Sequence, residues 1–313
     1  MSTSARARIC PLCDGAESDV AEQFSGAQLR QLWKRLGHEF TPDAWGQIHE
    51  QFVVKLYRCQ QCGFAFFDPD LVGNEAFYRQ IEHAAYYTPD RPEFGRTLRF
   101  ARENNLCRIL DVGCGSGAFL DLAKQAGHEV YGIELNGQAA GKARAKGHIV
   151  YQQMLHELDL TQTGGTFDLI TLFQVLEHLS DPAGVMRQAS AFLRPGGFIS
   201  AAVPYAEGIY RFMPWDPHQW PPHHVSRWRR KDFAQLVGAT KLKLVDCGGD
   251  ILLGSGIAQA WKLHNNMAPV VGRRRYPGGG TLPGILSFIY RKTGMKFVFP
   301  KWGSSLYGYF QKV

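Results

Sequence analysis

Three glycines follow one another at every second position, directly after an apolar run that ends in an acid. Residues 108–120 read RILDVGCGSGAFL, and an apolar-periodic stretch continues to about Ala126. This order predicts a strand, a tight turn and the start of a helix. Because Gly113, Gly115 and Gly117 have no Cβ and tolerate positive φ, backbone N–H groups and the helix dipole can face an anionic or carboxylate-bearing ligand. A buried strand with a plain glycine turn has the same pattern, so this motif alone does not decide.

A second acid lies at the spacing used by sheets that bind nucleosides. Residues 129–134 (EVYGIE) predict a short apolar strand that ends in Glu134, 17 residues after Gly117. In a doubly wound sheet, an acid at this position binds the two ribose hydroxyls of a nucleoside. Because Ala118 completes a G-x-G-x-x-A pattern, the same residues are also compatible with a nicotinamide-dependent oxidoreductase.

Two cysteine pairs have the spacing of metal ligands. Cys10 and Cys13 lie in CPLCDG, and Cys59 and Cys62 lie in CQQCG. Two thiols on one tight turn can bind a tetrahedral ion, so the four together predict a structural Zn²⁺ site. The 45 residues between the pairs exceed the usual spacing of a zinc ribbon, and 23–38 predicts a helix, which indicates an inserted helical excursion. Redox-active dithiols are the alternative, but neither pair opens a thioredoxin-like βαβ unit.

The composition is that of an ordinary globular protein. A chain of 313 residues with 45% apolar and 20% charged side chains fits one large or two unequal domains. Seven cysteines is an odd number and argues against a disulfide framework, and Cys107, Cys114 and Cys247 are expected to be ordinary small buried residues. With no run of 18 apolar residues and no apolar signal core at the N-terminus, we expect a cytoplasmic protein.

Two further segments indicate which of the two classes of cofactor, a nicotinamide dinucleotide or another nucleoside, the chain binds. Residues 167–179 (FDLITLFQVLEHL) predict a fourth strand with its loop, and residues 193–198 (LRPGGF) predict the turn into a fifth. With the glycine motif and Glu134, in this order over roughly residues 100–250, the chain resembles the class I S-adenosylmethionine-dependent methyltransferases. The resemblance implies an α/β fold, a doubly wound, mostly parallel, Rossmann-like sheet of seven strands in the order 3-2-1-4-5-7-6.

The resemblance also implies which residues bind S-adenosylmethionine. Met154 and Leu155, with Gln153, should lie near the adenine after a predicted third strand, although the acid frequently found there in the family is absent. Tyr86 and Tyr87 are lid candidates over the methionine end, with plain linker packing as the alternative. The full predicted set of cofactor-binding residues is Asp111, Gly113, Cys114, Gly115, Gly117, Glu134, Met154, Leu155, Phe173 and Gln174.

Histidines are the candidates for the catalytic base. Methyl transfer from a sulfonium is an in-line displacement, so the enzyme must hold the acceptor atom about 3 Å from the methyl carbon and exclude water. A hydroxyl acceptor also needs a base, for which histidine is suited. The candidates are His178, expected at a helix start after strand four, and His223 and His224 in WPPHHVSRW (220–228). Since two prolines predict extended backbone, only one of the pair should face the methyl group, and by family position we favour His224, with activity falling below about pH 6.

The segment Gln174-x-x-Glu177-His178 has a further implication. It resembles a segment of ubiquinone-pathway O-methyltransferases and small-RNA 2′-O-methyltransferases, which can use a Glu-His pair with a divalent ion. Here Gln174 stands where the small-RNA pattern has its first acid. Because the loss of one carboxylate weakens a Mg²⁺ site, the sequence disfavours a catalytic metal.

The C-terminal part of the chain carries the excess positive charge. Residues 251–313 contain nine Lys or Arg and no Asp or Glu, so residues 1–250 have a net charge of −2 and the whole +7 comes from the tail. A local cationic surface attracts polyanions or an anionic membrane surface, whereas a solvated insertion is the plainer interpretation. The predicted division is a zinc-ribbon-like module with a helical insertion (1–70), a helical linker or lid (71–100), the cofactor-binding core (101–250), a basic insertion (251–303) and the last core strand (304–313).

These observations predict an S-adenosylmethionine-dependent O-methyltransferase that acts on a hydroxyl of a sugar, glycan or small metabolite. An RNA methyltransferase that binds nucleic acid through the zinc module and basic tail is the alternative. No RNA-binding module is recognised, and the basic residues are not interleaved with stacking aromatics, so nucleic acid is the less favoured partner. A membrane-surface scaffold with a vestigial cofactor site is disfavoured by the intact glycine loop and Glu134. Peripheral membrane association through residues 251–303 stays compatible with a cytoplasmic enzyme.

Overall fold

The computed structural model describes residues 8–81, 91–253, 262–272, 298–300 and 303–313. The lid candidates Tyr86 and Tyr87 lie outside the described residues, as do the arginines at 273–275 and most of the basic insertion. The predictions made for them therefore stay predictions. Among the helices that the structure does describe, none is both long and apolar enough to cross a membrane.

Strands and helices alternate through the middle of the chain. In chain order, the described strands are β1 (Ser18–Ser25), β2 (Val53–Cys59), β3 (Ala65–Phe66), β4 (Arg108–Val112), β5 (Glu129–Ile133), β6 (Ile149–Tyr151), β7 (Phe167–Phe173), β8 (Leu193–Pro204), β9 (Ser226–Arg227), β10 (Leu242–Gly249), β11 (Ile251–Leu253), β12 (Val298–Pro300) and β13 (Ser305–Lys312). The described helices are α1 (Gly26–Arg35), α2 (Glu75–Ile81), α3 (Pro92–Glu103), α4 (Ala118–Gln125), α5 (Gly137–Ala145), α6 (Leu160–Thr163), α7 (Pro182–Phe192) and α8 (Arg230–Thr240), and residues 262–267 are also helical.

Seven of the described strands form the central sheet, in the order β6-β5-β4-β7-β8-β13-β10. Numbered by their order along the chain, these strands read 3-2-1-4-5-7-6, which confirms the predicted fold class and strand order. The strands from β6 to β8 are parallel to one another, and β13 runs antiparallel to both β8 and β10. Parallel neighbours need crossover connections, and α4, α5, α6 and α7 lie in those connections.

This topology brings four strand ends to one place. The chain leaves β4 toward β5 and β6, and then returns to β7 on the other side of β4. The switch in direction opens a crevice at the carboxyl ends of β4 and β7, which is where doubly wound sheets bind ligands. Every residue of the predicted cofactor set lies within, or shortly after, the carboxyl end of β4, β5, β6 or β7.

Two local expectations around the core were wrong. His178 does not begin a helix, because Leu176–His178 form a 3-10 turn and α7 begins only at Pro182. Asp181 caps that helix by accepting a hydrogen bond from the Gly184 N–H at 2.7 Å, which sets the helix start. Residues 193–198 were expected to form the turn into the fifth strand, but that strand already begins at Leu193.

The helix predicted over 23–38 is shorter than expected. Residues up to Ser25 belong to β1, which pairs antiparallel with β2, and α1 begins at Gly26. Ser25 and Gln28 form a capping box, in which each side chain bonds the other residue's backbone N–H, so the helix start is defined by this pair. The apolar-periodic pattern did not separate the strand from the helix.

The N-terminal sheet is completed by a strand from far along the chain. Its order is β1-β2-β3-β9, and β9 pairs with β3 through Ala65 opposite Arg227 and Phe66 opposite Ser226. The helical insertion packs on this sheet around Trp33, which is fully buried. In the same apolar cluster lies Trp220, from the loop that carries His223 and His224. The N-terminal part of the chain therefore forms a wall of the region around those histidines.

Candidate functional site

Four cysteine sulfurs converge at the tip of the β1–β2 region. Cys10 Sγ lies 3.7 Å from Cys62 Sγ, and Cys13 Sγ lies 3.7 Å from Cys59 Sγ. All four ligand atoms lie within 4.8 Å of one another. A tetrahedral zinc ion with bonds of about 2.3 Å to four thiolates separates the sulfurs by about 3.8 Å. The predicted ligand set therefore fits structural zinc.

Tight turns behind each pair bring the sulfurs together. Gly63 follows the second pair with φ +72°, and its N–H donates to the Cys59 carbonyl at 2.8 Å. After the first pair, Asp14 takes the left-handed conformation, with φ +58°. A Cβ on Gly15 would approach Cys59 Sγ to 3.0 Å, so the glycine behind this pair is needed for close packing against the sulfurs.

The glycine loop has the conformation that its composition predicts. Gly113, Gly115 and Gly117 have φ values of +78°, +54° and +83°, which L side chains adopt only with strain. A Cβ on Gly113 would also lie 2.8 Å from Val175 Cγ2, in the loop after β7. The loops that follow β4 and β7 thus approach each other closely at the crevice.

Glu134 lies against the glycine loop. Its Oε2 accepts a hydrogen bond from Gly115 N–H at 2.8 Å, and its Oε1 accepts one from Asn136 N–H at 2.8 Å. These bonds hold the carboxylate at the end of β5, beside the turn after β4. A carboxylate has about four acceptor sites, so two backbone bonds are compatible with hydroxyl donors as well.

Asp111 is buried at the end of β4. Thr171 on the neighbouring strand donates its hydroxyl hydrogen to Asp111 Oδ1 at 2.6 Å. Burial raises the pKa of Asp111 to about 7, although the Thr171 bond acts in the opposite direction. Cys114 is also buried, and burial raises the pKa of its thiol, which suits packing and not thiolate chemistry.

The other predicted cofactor residues differ in exposure. Met154 is 47% exposed beside the end of β6, whereas Leu155 and Phe173 are buried in the apolar core. Phe173 packs edge-on against Phe119, with ring centroids 4.9 Å apart. Gln174 has φ +56° and donates from Nε2 to Glu93 Oε1 at 3.1 Å. All four lie at the same edge of the sheet as the glycine loop.

Three histidines form a buried cluster beyond this edge. Their ring nitrogens lie within 4.8 Å of one another, and His223 and His224 are each about 5% exposed or less. The rings of His223 and His224 stack with centroids 4.2 Å apart and planes at 23°. His178 meets the two rings at 4.9 and 4.8 Å. The structure therefore brings together all three predicted base candidates.

The expectation that His223 and His224 point to opposite sides was wrong. The N–H groups of both residues donate to the Trp220 carbonyl, at 3.1 and 3.2 Å, so the backbone forms a turn here. In a turn the two rings can lie on one side, whereas the alternation expected for extended backbone applies only to strands. Two preceding prolines restrict the backbone before the turn but do not extend through it.

Hydrogen bonds distinguish the three imidazoles. His178 Nδ1 lies 2.7 Å from the His223 carbonyl oxygen, and His223 Nδ1 lies 3.0 Å from the His218 carbonyl oxygen. A carbonyl only accepts, so both Nδ1 atoms carry protons and each Nε2 carries a lone pair. His224 differs, because its buried Nδ1 has no hydrogen-bond partner among the described residues.

Glu177 completes the cluster. Its Oε1 lies 3.8 Å from His178 Nε2 and 4.0 Å from His224 Nε2. The side chain is fully enclosed, and neither oxygen has a hydrogen-bond partner in the described part of the chain. Burial raises the pKa of Glu177 to about 8, while burial lowers the pKa of His178 to about 4 and lowers the pKa values of His223 and His224 well below their usual range. The three imidazoles are therefore neutral at pH 7.

Two tyrosines near this cluster were not among the site residues predicted from the sequence. Tyr78 Oη lies 3.0 Å from His178 Nδ1, and its residue belongs to α2, outside the predicted core. Burial raises the pKa of Tyr210, and Asp216 and Glu177 raise it further when they are ionised, so Tyr210 lies near the same group. No local pattern marks either tyrosine. Glu177 did carry a signal, since it is a charged residue within the apolar run LFQVLEHL.

Comparison with known proteins gives a consistent result. A family model described as a methyltransferase domain matches residues 79–246, more than half of the chain. The ubiquinone biosynthesis O-methyltransferase of Rhizobium etli is 28% identical over 190 residues, which cover 56% of this chain and 74% of that protein. The protein of the same name from Aeromonas salmonicida is 39% identical over 100 residues, but these cover only 30% of this chain and 42% of the relative.

Solved structures of low sequence identity also match. The plantazolicin methyltransferase in complex with a pentazolic analogue and S-adenosylhomocysteine is 16% identical, with a TM-score of 0.46 over 70% of this chain and 82% of that one. The magnesium protoporphyrin IX methyltransferase of Synechocystis PCC 6803 is 12% identical, with a TM-score of 0.45 over the same shares of the two chains.

Proposed function

The chain belongs to the methyltransferase-domain family and is an S-adenosylmethionine-dependent methyltransferase, and from this premise we propose that it methylates a hydroxyl of a small metabolite. The observation that supports a hydroxyl acceptor is the buried histidine cluster beside the cofactor crevice. In particular, His224 Nδ1 has no hydrogen-bond partner among the described residues, and the other ring nitrogen, Nε2, lies 4.0 Å from Glu177 Oε1. A neutral imidazole in such a position can accept the hydroxyl proton.

The crevice fits S-adenosylmethionine through its own residues. The positive φ of the glycine loop exposes backbone N–H groups to a carboxylate, and Glu134 lies where it can accept from ribose hydroxyls. When bound, the cofactor supplies an electrophilic methyl group. We expect Met154 and Leu155 on the adenine side, because the end of β6 adjoins the end of β5. Asp111, buried behind the loop, supports the turn and stays largely inaccessible to a ligand.

The loop after β7 connects the histidine cluster to this crevice. Val175, which packs against Gly113, lies two residues before Glu177. The Val225 N–H donates to the Glu177 carbonyl at 2.8 Å, which joins the loop carrying His224 to the loop after β7. An acceptor held between the glycine loop and the cluster would thus have its hydroxyl facing His224. Positioning and exclusion of water supply most of the rate, and the base removes the proton.

A labelling experiment tests the proposal. Purified protein is incubated with methyl-labelled S-adenosylmethionine and a small-molecule extract of cells that produce it. We expect label in a small metabolite as a methyl ether, with loss of transfer in His224→Ala and normal transfer in His156→Ala, a histidine exposed on the surface. Label that appears only as N-methyl or C-methyl product would contradict the hydroxyl acceptor.

One observation favours a second account of the same cluster. Both oxygens of Glu177 lack partners among the described residues, and the Nε2 atoms of His178 and His224 lie 3.8 and 4.0 Å from its Oε1, so these three side chains offer a donor set for a divalent ion. Such a set, rich in imidazole, suits a transition metal better than Mg²⁺. Glu177, His178 and His224 would hold the ion, which would lower the pKa of an acceptor hydroxyl. Elemental analysis distinguishes the two accounts. A second equivalent of metal per chain, beyond the zinc of the four cysteines, that disappears in Glu177→Gln would support the divalent ion. Parent protein without a second equivalent would support the histidine base.

The acceptor class is narrower than the sequence alone indicated. The named relatives act in ubiquinone biosynthesis by their names, and nothing in them refers to a sugar or glycan. We therefore drop the sugar and glycan acceptors and retain a small metabolite. Binding of nucleic acid or of a membrane through residues 251–303 stays a prediction from sequence.

A further inference from the structure

A cavity lies between the N-terminal sheet and the loop that follows β8. Its volume is about 220 Å³, and its wall combines residues of β2, β3 and β9 with residues 206–219 of that loop. Among the described residues, four arginines line it (Arg58, Arg211, Arg227 and Arg229), against one acid, Glu207. A concave wall with several guanidinium groups is suited to an oxyanion, which arginine can bind with two parallel hydrogen bonds.

The arginines on the inner wall are held in place. Arg227 donates to the Pro214 carbonyl at 2.9 Å, pairs with Glu22 at 3.3 Å, and lies 4.9 Å from the ring centroid of Trp220. Arg229 bonds both oxygens of Asp232, from Nε at 3.0 Å and Nη2 at 2.8 Å. Fixed guanidinium groups lose little conformational entropy when they bind a ligand.

Arg58 is exposed at the rim of the cavity and supplies a positive charge that forms no ion pair with a described residue. Its one described hydrogen bond goes to the Gly63 carbonyl at 3.3 Å, and no carboxylate of a described residue lies within ion-pair distance of it. The charge of Arg58 contributes, after burial, to lowering the pKa of Arg227, so the two like charges lie close enough to repel. An anion between them would offset that repulsion.

Size and position relate the cavity to the acceptor. Sites that enclose a whole drug-sized ligand measure about 300–1,000 Å³, so 220 Å³ suits one end group of a metabolite. Tyr210 lies on the cavity wall and also near Glu177, and the loop that forms the wall continues directly into Trp220, His223 and His224. A molecule with one end in the cavity would extend toward the histidine cluster.

The geometry points to an oxyanion subsite: the cavity binds a carboxylate or phosphate group of the methyl acceptor through Arg58 and Arg227, while the acceptor hydroxyl faces the histidines. The part that concerns the acceptor rests on the proposed function. Anion binding itself does not, because it requires neither the cofactor nor methyl transfer. The two sources of the oxyanion, a carboxylic acid and a phosphate ester, share this chemistry and differ in the probe that binds more tightly.

Calorimetry with simple probes tests the subsite. Inorganic phosphate and benzoate are titrated into the zinc-loaded protein at constant ionic strength, because exposed charges are screened by salt. We expect the parent protein to bind the anion at one saturable site. The affinity should be at least tenfold lower in Arg58→Gln. It should be higher in Glu207→Gln, because this variant removes the acid from the cavity wall. Arg99→Gln, an exposed arginine on α3 away from the cavity, should bind like the parent protein. The tighter probe identifies the source of the oxyanion.

Two parallel measurements distinguish loss of the anion subsite from general unfolding of a variant and from failure of the proposed function. S-adenosylmethionine affinity and zinc content should be the same in all these variants, which excludes a general loss of structure. The methylated metabolite from a cell extract should be retained on an anion-exchange column at pH 7.5. No saturable anion binding, equal binding by Arg58→Gln, or a neutral methylated product would overturn the subsite. A protein that binds anions but not S-adenosylmethionine would instead refute the proposed function.

Discussion

The ring of His178 is oriented by the main chain of His223, whose carbonyl oxygen lies 2.7 Å from His178 Nδ1. This bond uses no side-chain atom of His223. Replacing His223 by alanine therefore keeps the orientation of His178, whereas replacing His224 removes the imidazole whose Nδ1 has no described partner. The three histidines are one cluster, but they are not equivalent.

We expect His224→Ala to lower kcat by about 10²- to 10⁴-fold, which is the contribution of a general base. His223→Ala should lower it much less, because the Nδ1 of His223 is already bonded to the His218 carbonyl. Steady-state kinetics with the identified acceptor measure both. The affinity for S-adenosylmethionine should stay the same in each variant, and equal kcat in parent protein and His224→Ala would assign the proton to another group.

The acid limb of the pH profile should lie well below pH 6.5. Burial, the neighbouring histidines and Arg227 lower the pKa of His224, so the neutral form that accepts a proton persists as the pH falls. This changes the expectation from sequence, which placed the loss of activity near pH 6. The pH dependence of kcat/KM between pH 4.5 and 8 checks it, and a limb near pH 6.5 would indicate a base exposed to water.

Glu134→Ala should weaken S-adenosylmethionine binding. A hydrogen bond to a charged carboxylate contributes about 1.5–3 kcal/mol, which corresponds to at least tenfold in affinity for one lost bond. The variant also loses the bonds from Gly115 and Asn136, so the loop is less well held. Calorimetry gives the affinity. Glu129→Gln, at the opposite end of the same strand, is the matched control and should bind normally, and a nicotinamide nucleotide should not bind to either.

Zinc should be present at one equivalent per chain and should depend on the four cysteines. Cys59→Ser removes one ligand, so we expect loss of the metal and destabilisation of the N-terminal sheet, since structural zinc sites contribute directly to folding. Elemental analysis and thermal unfolding measure these. Cys107 is exposed, so the expectation from sequence that it is buried was wrong. Because it lies outside the cluster, Cys107→Ser should keep its zinc. Reduced parent protein without metal would contradict the site.

Asp168 should stabilise the core at neutral pH. Its Oδ2 accepts from the Cys107 and Arg108 N–H groups, both at 2.8 Å, and its Oδ1 bonds Arg194. Burial acts to raise the pKa of Asp168, but these bonds outweigh it and the pKa is lowered. The stabilisation is thus present above the unfolded pKa of about 3.9 and is lost as the pH falls through the lower folded pKa.

Asp168→Asn should therefore lower the free energy of unfolding by about 1–3 kcal/mol at pH 7, with a smaller effect near pH 3. Denaturant unfolding at the two pH values measures the difference. Glu103→Gln, an exposed acid at the end of α3, is the control and should be neutral. An equal effect of Asp168→Asn at both pH values would mean that the charge of Asp168 contributes nothing.

The geometry of the proposed cofactor crevice was accessible from sequence because its residues are close along the chain. The glycine loop joins β4 to α4, and Glu134 ends the next strand, so strand order and spacing determine their positions. The histidine cluster was only partly accessible. Its members were named, but their stacking depends on a turn after Trp220 and on packing against Trp33, some 190 residues earlier in the sequence.

The arginine-lined cavity could not be predicted from the sequence, and the reason is related. Its arginines come from β2, from the loop after β8 and from the region of β9, which have no fixed spacing along the chain. Sequence analysis assigned the positive charge of the protein to its tail by counting residues. Counting does not reveal that basic residues from the electrically balanced part of the chain gather around one void.

The short strand β9 limits how the protein can be divided for experiments. Because Ser226 and Arg227 pair with the edge of β3, a fragment that stops near residue 70 would keep its four thiols but leave β3 with an unpaired edge, which is prone to aggregation. The reverse fragment, beginning at residue 71, would lose Glu22, which pairs with Arg227, and Phe24, which stacks on Trp220. Ribosomal synthesis faces the same constraint, since the N-terminal sheet cannot close until the chain has grown past residue 227.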